Sequence, residues 1–259
     1  LSPSESGTTD QNALNGVYHY LDNILAYTTQ VRDVVLNCRI RIDATVLSPD
    51  FMNCNGRGRY GEDILTGFKN NFITDWKVSD ETYVGVHSDV GYWNSYQANA
   101  VCISGIFDVT FKLPPVPSGT YEIRLGYTVG EERGVVQVYL NNEPCGIPVD
   151  LRVYGPDPNI GWVEDTDDPE ENTANDKAMH NKGYMKAMDS YRPWDAEGPL
   201  RNNNWNLRRV LTTKYLDSNE TYHLRFRQVL DDSERYWSFD YIELCPKSVY
   251  GSPEGEDTH

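Results

Sequence analysis

The sequence predicts an all-β fold, a two-sheet antiparallel β-sandwich carrying a long loop or short-helix insertion. Between Ile106 and Leu151 apolar residues recur at every second position in separate runs, the period of a strand that buries one face. Clusters of Pro, Gly and Asn close each run, as strand ends require. The same alternation returns near the end of the chain in LRRVLTTKYL, TYHLRFRQVL and YWSFDYIELCP.

Each element follows from its local pattern. Leu1 to Gly7 is rich in Ser and lacks apolar period, so no structure is expected there. After Asn15-Gly16, Val17, His19 and Leu21 alternate with Tyr18 and Tyr20, which predicts a short strand. TTQVRDVV offers a helical turn, and Cys38, Ile40 and Ile42 then oppose Arg39, Arg41 and Asp43 as a first sandwich strand. NCNGRGRYGEDIL, with three glycines and mixed charge, is a loop, and no phosphate cradle is indicated. Strand pieces follow in FITDWKVSDETY and GVHSDVGYWNSYQ.

Phe107, Val109 and Phe111 fall on one face, with Asp108, Thr110 and Lys112 on the other. Pro114, Pro115, Pro117 and Gly119 stop that strand. Tyr121, Ile123, Leu125 and Tyr127 then alternate with Glu122, Arg124, Gly126 and Thr128, predicting one core face and one wet face. Val135 to Leu140 is a third strand, and Asn141-Asn142 turns it into a hairpin with Cys145–Val149. PDPNIGWVEDTDDPEENTAND is strongly acidic, and DKAMHNKGYMKAM suits a short helix. With DSYRPWDAEGPLRNNNW they form an insertion expected to be a surface loop system. GSPEGEDTH reads as a tail, so the expected organisation is a flexible end, strand and linker over 1–35, a sandwich over 36–250 and a disordered tail over 251–259.

Composition narrows the function. A formal net charge of −16 opposes polyanions and anionic bilayers, so nucleic acid is not an expected partner. No run reaches the about 18 apolar residues of a membrane helix, and LSPSESGTTDQ lacks the basic and apolar regions of a signal peptide. The five cysteines, Cys38, Cys54, Cys102, Cys145 and Cys245, are too far apart for a CxxC-type metal site and are odd in number. Free buried thiols are the default reading; a Cys38–Cys245 bridge would need the first and last strands of one sheet side by side.

Catalytic motifs such as HExxH, GxSxG and a P-loop are absent, and the five histidines are scattered. No enzyme activity, metal or cofactor is therefore expected. A glycosidase needs only two well-placed carboxylates, so a hydrolase or lyase reading stays open as an alternative. Asp240 in SFDYIEL reads as a solvated or hydrogen-bonded edge residue on the face opposite Phe239 and Tyr241. The acidic run EDTDDPEEN has oxygen ligands for calcium but not the spacing of an EF-hand loop, and a solvated loop is the simpler reading.

Eighteen tyrosines and six tryptophans are many for 259 residues. Some serve the core, but an aromatic ring also stacks on the C–H face of a pyranose while polar neighbours bind its hydroxyls. Three groups combine both kinds of residue: Tyr92, Trp93 and Asn94 with Tyr96; Tyr191 and Arg192 with Trp194 and Asp195; and Asn202, Asn203, Asn204 and Trp205 with Arg208. Trp237 beside Tyr236 is as well explained by the core.

NGVYHYLDNIL resembles the closing motif of a fasciclin-type domain, which implies that residues 1–35 hold the last strand of such a domain. PVPSGTYEIRLGY, VVQVYLNNEPCG and YWSFDYIEL are similar to the galactose-binding-like jelly rolls of many carbohydrate-binding modules, over about Cys38 to Leu244. That resemblance implies binding in loops at one end or on a concave face. The Glu164–Arg201 insertion departs from it, and ligand aromatics do not transfer position by position. The two together resemble surface lipoproteins of gut Bacteroidetes. They imply an exported parent, tethered upstream to the outer membrane's extracellular face or to the periplasmic side. The expected function is a non-catalytic adhesion or glycan-binding module whose partner is a glycan or a cell-surface protein, with a protein–protein module in a surface complex as the alternative.

Overall fold

The computed structural model describes residues 11–14, 16–18, 28, 37–48, 51, 57–58, 73–78, 82–88, 95–188 and 199–251. Two units divide at residue 36. In the first, β1 (Gln11–Ala13) pairs antiparallel with β2 (Gly16–Tyr18). The strand expected after Asn15-Gly16 is β2.

The second unit holds β3 (Ile40–Asp43), β4 (Arg57–Gly58), β5 (Ile73–Val78), β6 (Tyr83–Ser88), β7 (Asn99–Ser104), β8 (Phe107–Lys112) and β9 (Gly119–Thr128). Then come β10 (Val135–Leu140), β11 (Glu143–Pro144), β12 (Val149–Asp150), α1 (Pro169–Asn181), β13 (Tyr184–Lys186), β14 (Asn206–Leu216), β15 (His223–Gln228), β16 (Tyr236–Pro246) and α2 (Lys247–Tyr250). The first sheet runs β11-β10-β15-β8-β5, with β12 also on β10. The second runs β13-β14-β9-β16-β7-β6-β4, with β3 also on β16. All pairs are antiparallel except the short β4–β6 contact. The chain is thus an all-β sandwich, and β8, β9 and β10 alternate between its sheets, as jelly-roll strands do.

The core lies where the inner faces meet. Phe111 and Phe226 of the first sheet pack on Phe239 of the second at centroid distances of 5.9 and 4.8 Å, and Trp237 lies 5.4 Å from Phe226. Each fully buried ring of this kind contributes about 1.5–3 kcal/mol over exposure. On the opposite, solvated face of the first sheet, Arg225 grips Asp108 with two bonds of 2.6 Å and covers the Tyr139 ring at 4.8 Å.

The second sheet departs from the sequence reading. Ile123, Leu125 and Tyr127 face the core as expected, but Glu122, Arg124 and Thr128 on the other face are buried too. The predicted wet face of β9 is instead a buried ionic face. Asp240 is likewise no edge residue: it lies in central strand β16, buried, at a register shift between Phe239 and Tyr241. That bulge puts Tyr241 on the outer face and Phe239 in the core.

Other corrections are smaller. Asn141 and Asn142 make the expected turn, with φ of 48° and 66°, but the return on β10 comes in two short pieces, Glu143–Pro144 and Val149–Asp150, rather than one strand over Cys145–Val149. The helix starts inside the acidic run rather than after it. Asp168 caps α1 by accepting from Glu170 N–H, Pro169 sits in its first turn, and Glu170 and Glu171 complement the helix dipole. Cys38, Cys102, Cys145 and Cys245 form no disulfide, although β3 and β16 are neighbours; Cys38 is exposed and the others are buried. Burial pushes the Cys145 thiol up to about 11. Cys54 and the expected turn in TTQVRDVV lie outside the described residues.

Candidate functional site

The outer face of the second sheet is built in rows. Across β14, β9, β16 and β3, Val210, Arg124, Glu243 and Arg41 stand in register, next to a row of Arg208, Gly126, Tyr241 and Asp43. Arg41 Nε and Arg124 Nη1 each donate to Glu243 at 2.7 Å, and Arg208 Nη1 donates at 3.0 Å. Arg124 Nε also donates to Glu122 at 2.7 Å, and His180 of α1 places Nε2 3.0 and 3.1 Å from the two Glu122 oxygens. Burial alone would raise the Glu243 carboxyl, but Arg208, Arg124 and Arg41 outweigh it and hold it far below the usual range. Glu122 is also lowered, its burial overcome by His180 and Arg124.

A second ionic knot secures the insertion. Lys186 Nζ lies 2.5 Å from Asp165, and Arg201 bonds both Asp165 and Asp176, the latter at 2.7 Å. Asp165 therefore belongs to a closed ion network rather than to a solvated acidic loop. Among the described residues, no group of three or more His, Cys, Asp or Glu is placed to hold a metal.

The upper row combines Asn206, Thr128 and Ser238, with the Thr128 and Ser238 hydroxyls 3.3 Å apart. Asn206 is 3% exposed, yet among the described residues neither of its amide atoms has a hydrogen-bond partner. Neither does the buried Tyr241 hydroxyl. Tyr241 lies across Gly126, where an added Cβ would come within 2.3 Å of its ring. Buried polar groups are normally paired, so such atoms mark positions where water or a ligand group belongs.

Tyr96 connects to this face. Its ring meets Tyr241 edge-on at 5.3 Å, and its backbone N–H donates to Asp240 Oδ2 at 2.7 Å. The following Gln97 and Ala98 have φ of 57° and 56°, an uncommon left-handed conformation for residues with a Cβ. Burial raises the Asp240 carboxyl; the Tyr96 N–H lowers it and Asp43 raises it further, leaving it well above the usual range.

The row of Asn206 opens onto one loop end of the sandwich. There Trp205 is 56% exposed and held from both sides: its N–H donates to Asn203 Oδ1 at 2.8 Å, and its carbonyl accepts from Val129 N–H at 2.9 Å. Gly155 N–H donates to the Asn204 carbonyl, Gly130 N–H to Leu151, and Gly134 N–H to Tyr236, stitching the loops together. Trp162 stands on the same assembly, half-buried, donating through Nε1 to Arg201.

The structure thus brings Asn203 and Trp205 together at the loop end and Tyr96 and Arg208 to the outer face. Arg208 is buried, with its guanidinium on Glu243 and the Lys186 carbonyl. Trp237 is a core residue. Tyr92, Trp93, Asn94, Tyr191, Arg192, Trp194 and Asp195 lie outside the described residues. Asn206, Tyr241 and the Glu122–Arg124–Glu243 ladder were missed as site residues. The ladder's signal was opposite charge two residues apart, Glu122 with Arg124 and Arg41 with Asp43, whereas Asn206 and Tyr241 carry no such mark.

No family model matches the chain, and no curated protein does. Among solved structures it is similar to a Paenibacillus xanthan lyase, at 12% identity and a TM-score of 0.39 over 67% of this chain and 12% of that one. It is also similar to an exo-β-1,3-galactanase from Phanerochaete chrysosporium, at 13% identity and a TM-score of 0.32 over 66% and 27%. A mosquito-larvicidal toxin from Bacillus thuringiensis matches at 13% and 0.32 over 65% and 21%. The chain spans only a small part of the length of each.

Proposed function

We propose that the sandwich is a non-catalytic glycan-binding module of an exported adhesion protein, with Trp205 as its stacking platform. The observation that carries this reading is the exposed indole on a fixed backbone. A ring in that position adds little to the core, but it is pre-organised to stack on a sugar without losing backbone freedom. Asn203 and Asn204 beside it supply amides for ring hydroxyls. The non-catalytic part is supported by the ladder, since Glu122 and Glu243 are both committed to guanidinium partners. The export and cell-surface setting rests on the fasciclin-type resemblance of the opening residues.

A glycan array with wild-type protein and Trp205→Ala tests the reading. Binding to at least one glycan, weakened about tenfold or more by the substitution, is the expected result. No array signal from the wild type, or binding indifferent to Trp205, would overturn it.

A further inference from the structure

We propose that the Trp205 site takes a neutral, hydroxyl-rich glycan and discriminates against acidic polysaccharides, with the Asn206 amide as its buried polar contact. This rests on the glycan-binding reading and goes beyond it by naming the ligand's charge class.

Two independent observations lead there. The first is the charge of the rim. The loops stitched to Trp205 carry Glu131, Glu132, Asp157, Asp231, Asp232 and Glu234. Three cations among the described residues of this end are turned inward: Arg152 is bidentate on Asp150 at 2.8 and 2.7 Å, Arg235 bonds Asp232 and the Glu131 carbonyl, and Arg133 lies 4.1 Å from the Tyr236 ring centre. A uronate or sulfate arriving here meets carboxylates of its own sign, on a molecule whose net charge is −16. The loop end therefore repels the ligand class that an aromatic platform alone would accept.

The second observation concerns the groups with bonding capacity to spare. Asn206 immediately follows the exposed indole, and both of its amide atoms lack partners among the described residues. The Tyr241 hydroxyl, further along the same face, is in the same state. A primary amide and a phenol offer donors and acceptors in pairs, the pattern presented by a sugar hydroxyl, which donates once and accepts twice. The guanidiniums of that face lie on carboxylates: Arg208 on Glu243, and Arg124 on Glu243 and Glu122. An anionic ligand would have to compete with those buried pairs, whereas a hydroxyl needs only the amide. Replacing Asn206 by Ala removes no side-chain hydrogen bond found among the described residues, so it should not destabilise the fold.

The experiment uses the full chain in affinity electrophoresis against neutral polysaccharides (β-1,3-glucan, galactan and mannan) and acidic ones (polygalacturonate and alginate), at low and high salt. Wild type is expected to bind at least one neutral polysaccharide and neither acidic one. Asn206→Ala should weaken the neutral binding about tenfold while leaving the melting temperature unchanged or raised, and Asn206→Asp should abolish it. Binding of an acidic polysaccharide as tightly as any neutral one, lost in Trp205→Ala, would overturn this proposal while leaving the glycan-binding reading intact. Binding to none would remove both. A fall in melting temperature with undiminished binding in Asn206→Ala would also overturn it, by assigning the amide to the fold.

Discussion

Arg124 and Glu243 face each other in register across β9 and β16, both fully buried, with Nη1 2.7 Å from Oε1. Glu243 also receives Arg41 and Arg208, so one carboxylate anchors three strands that flank or pair with β16 and β9. Removing it would leave three guanidiniums without that partner. Glu243→Gln, which keeps the shape and deletes the charge, is expected to lower unfolding free energy by about 3–5 kcal/mol, the cost of breaking a buried ion network from one side. Urea denaturation checks it; a loss below about 1 kcal/mol would show the ladder to be as weak as a surface pair.

The outer face also depends on a close approach. Gly126 stands beneath Tyr241, and a Cβ there would lie 2.3 Å from the ring. Gly126→Ala is expected to cost about 1–3 kcal/mol through overpacking. Combined with Tyr241→Ala it should cost less than the sum of the two single changes, because the ring that it strikes is gone. Additive losses in thermal or urea melts would place the strain elsewhere.

The sandwich was legible because period-two alternation and the Asn141-Asn142 turn are local signals, and Phe107, Val109 and Phe111 needed nothing else to declare a core face. The outer face was less legible. Glu122 and Arg124 carry the polar pattern of a solvated strand, and only the register with Glu243, more than a hundred residues away, turns them into a buried ladder. The bulge at Asp240 also defeats simple alternation, since it sends Phe239 and Tyr241 to opposite faces. In the candidate site, exposure was the missing quantity. Trp205 and Trp237 look alike in sequence, and one is exposed while the other is core.

Acid should attack this protein through its ladder. Glu243 and Glu122 have folded pKa values below their ordinary 4.5, and Asp165 below its ordinary 3.8, because nearby guanidinium and ammonium or imidazole groups outweigh burial. A lowered folded pKa means that the unfolded chain binds protons more readily. The stability these groups contribute is present above about 4.5 and is lost as pH falls through the folded values. Melting temperature is therefore expected to fall steeply below about pH 4.5, and the fall should be smaller in Glu243→Gln, which has already lost the strongest of these linkages. An equally steep decline in the variant would remove Glu243 as its source.

Asp240 works in the opposite direction. Burial and the neighbouring Asp43 raise its carboxyl well above 3.8, only partly offset by the Tyr96 N–H. Its raised folded pKa makes the folded state the better proton binder, so its contribution is fully present below the unfolded value of 3.8 and diminishes as pH rises toward the folded one. Near neutral pH the protein thus carries either a retained proton or a buried charge, both costly. Asparagine removes that cost and keeps a carbonyl oxygen to accept the Tyr96 N–H, now 2.7 Å from Oδ2. Asp240→Asn is expected to raise the melting temperature at about pH 7, with the gain shrinking toward zero near pH 3. Scanning calorimetry at both pH values decides it: a variant less stable than wild type at neutral pH would mean that the charged carboxylate is itself needed there.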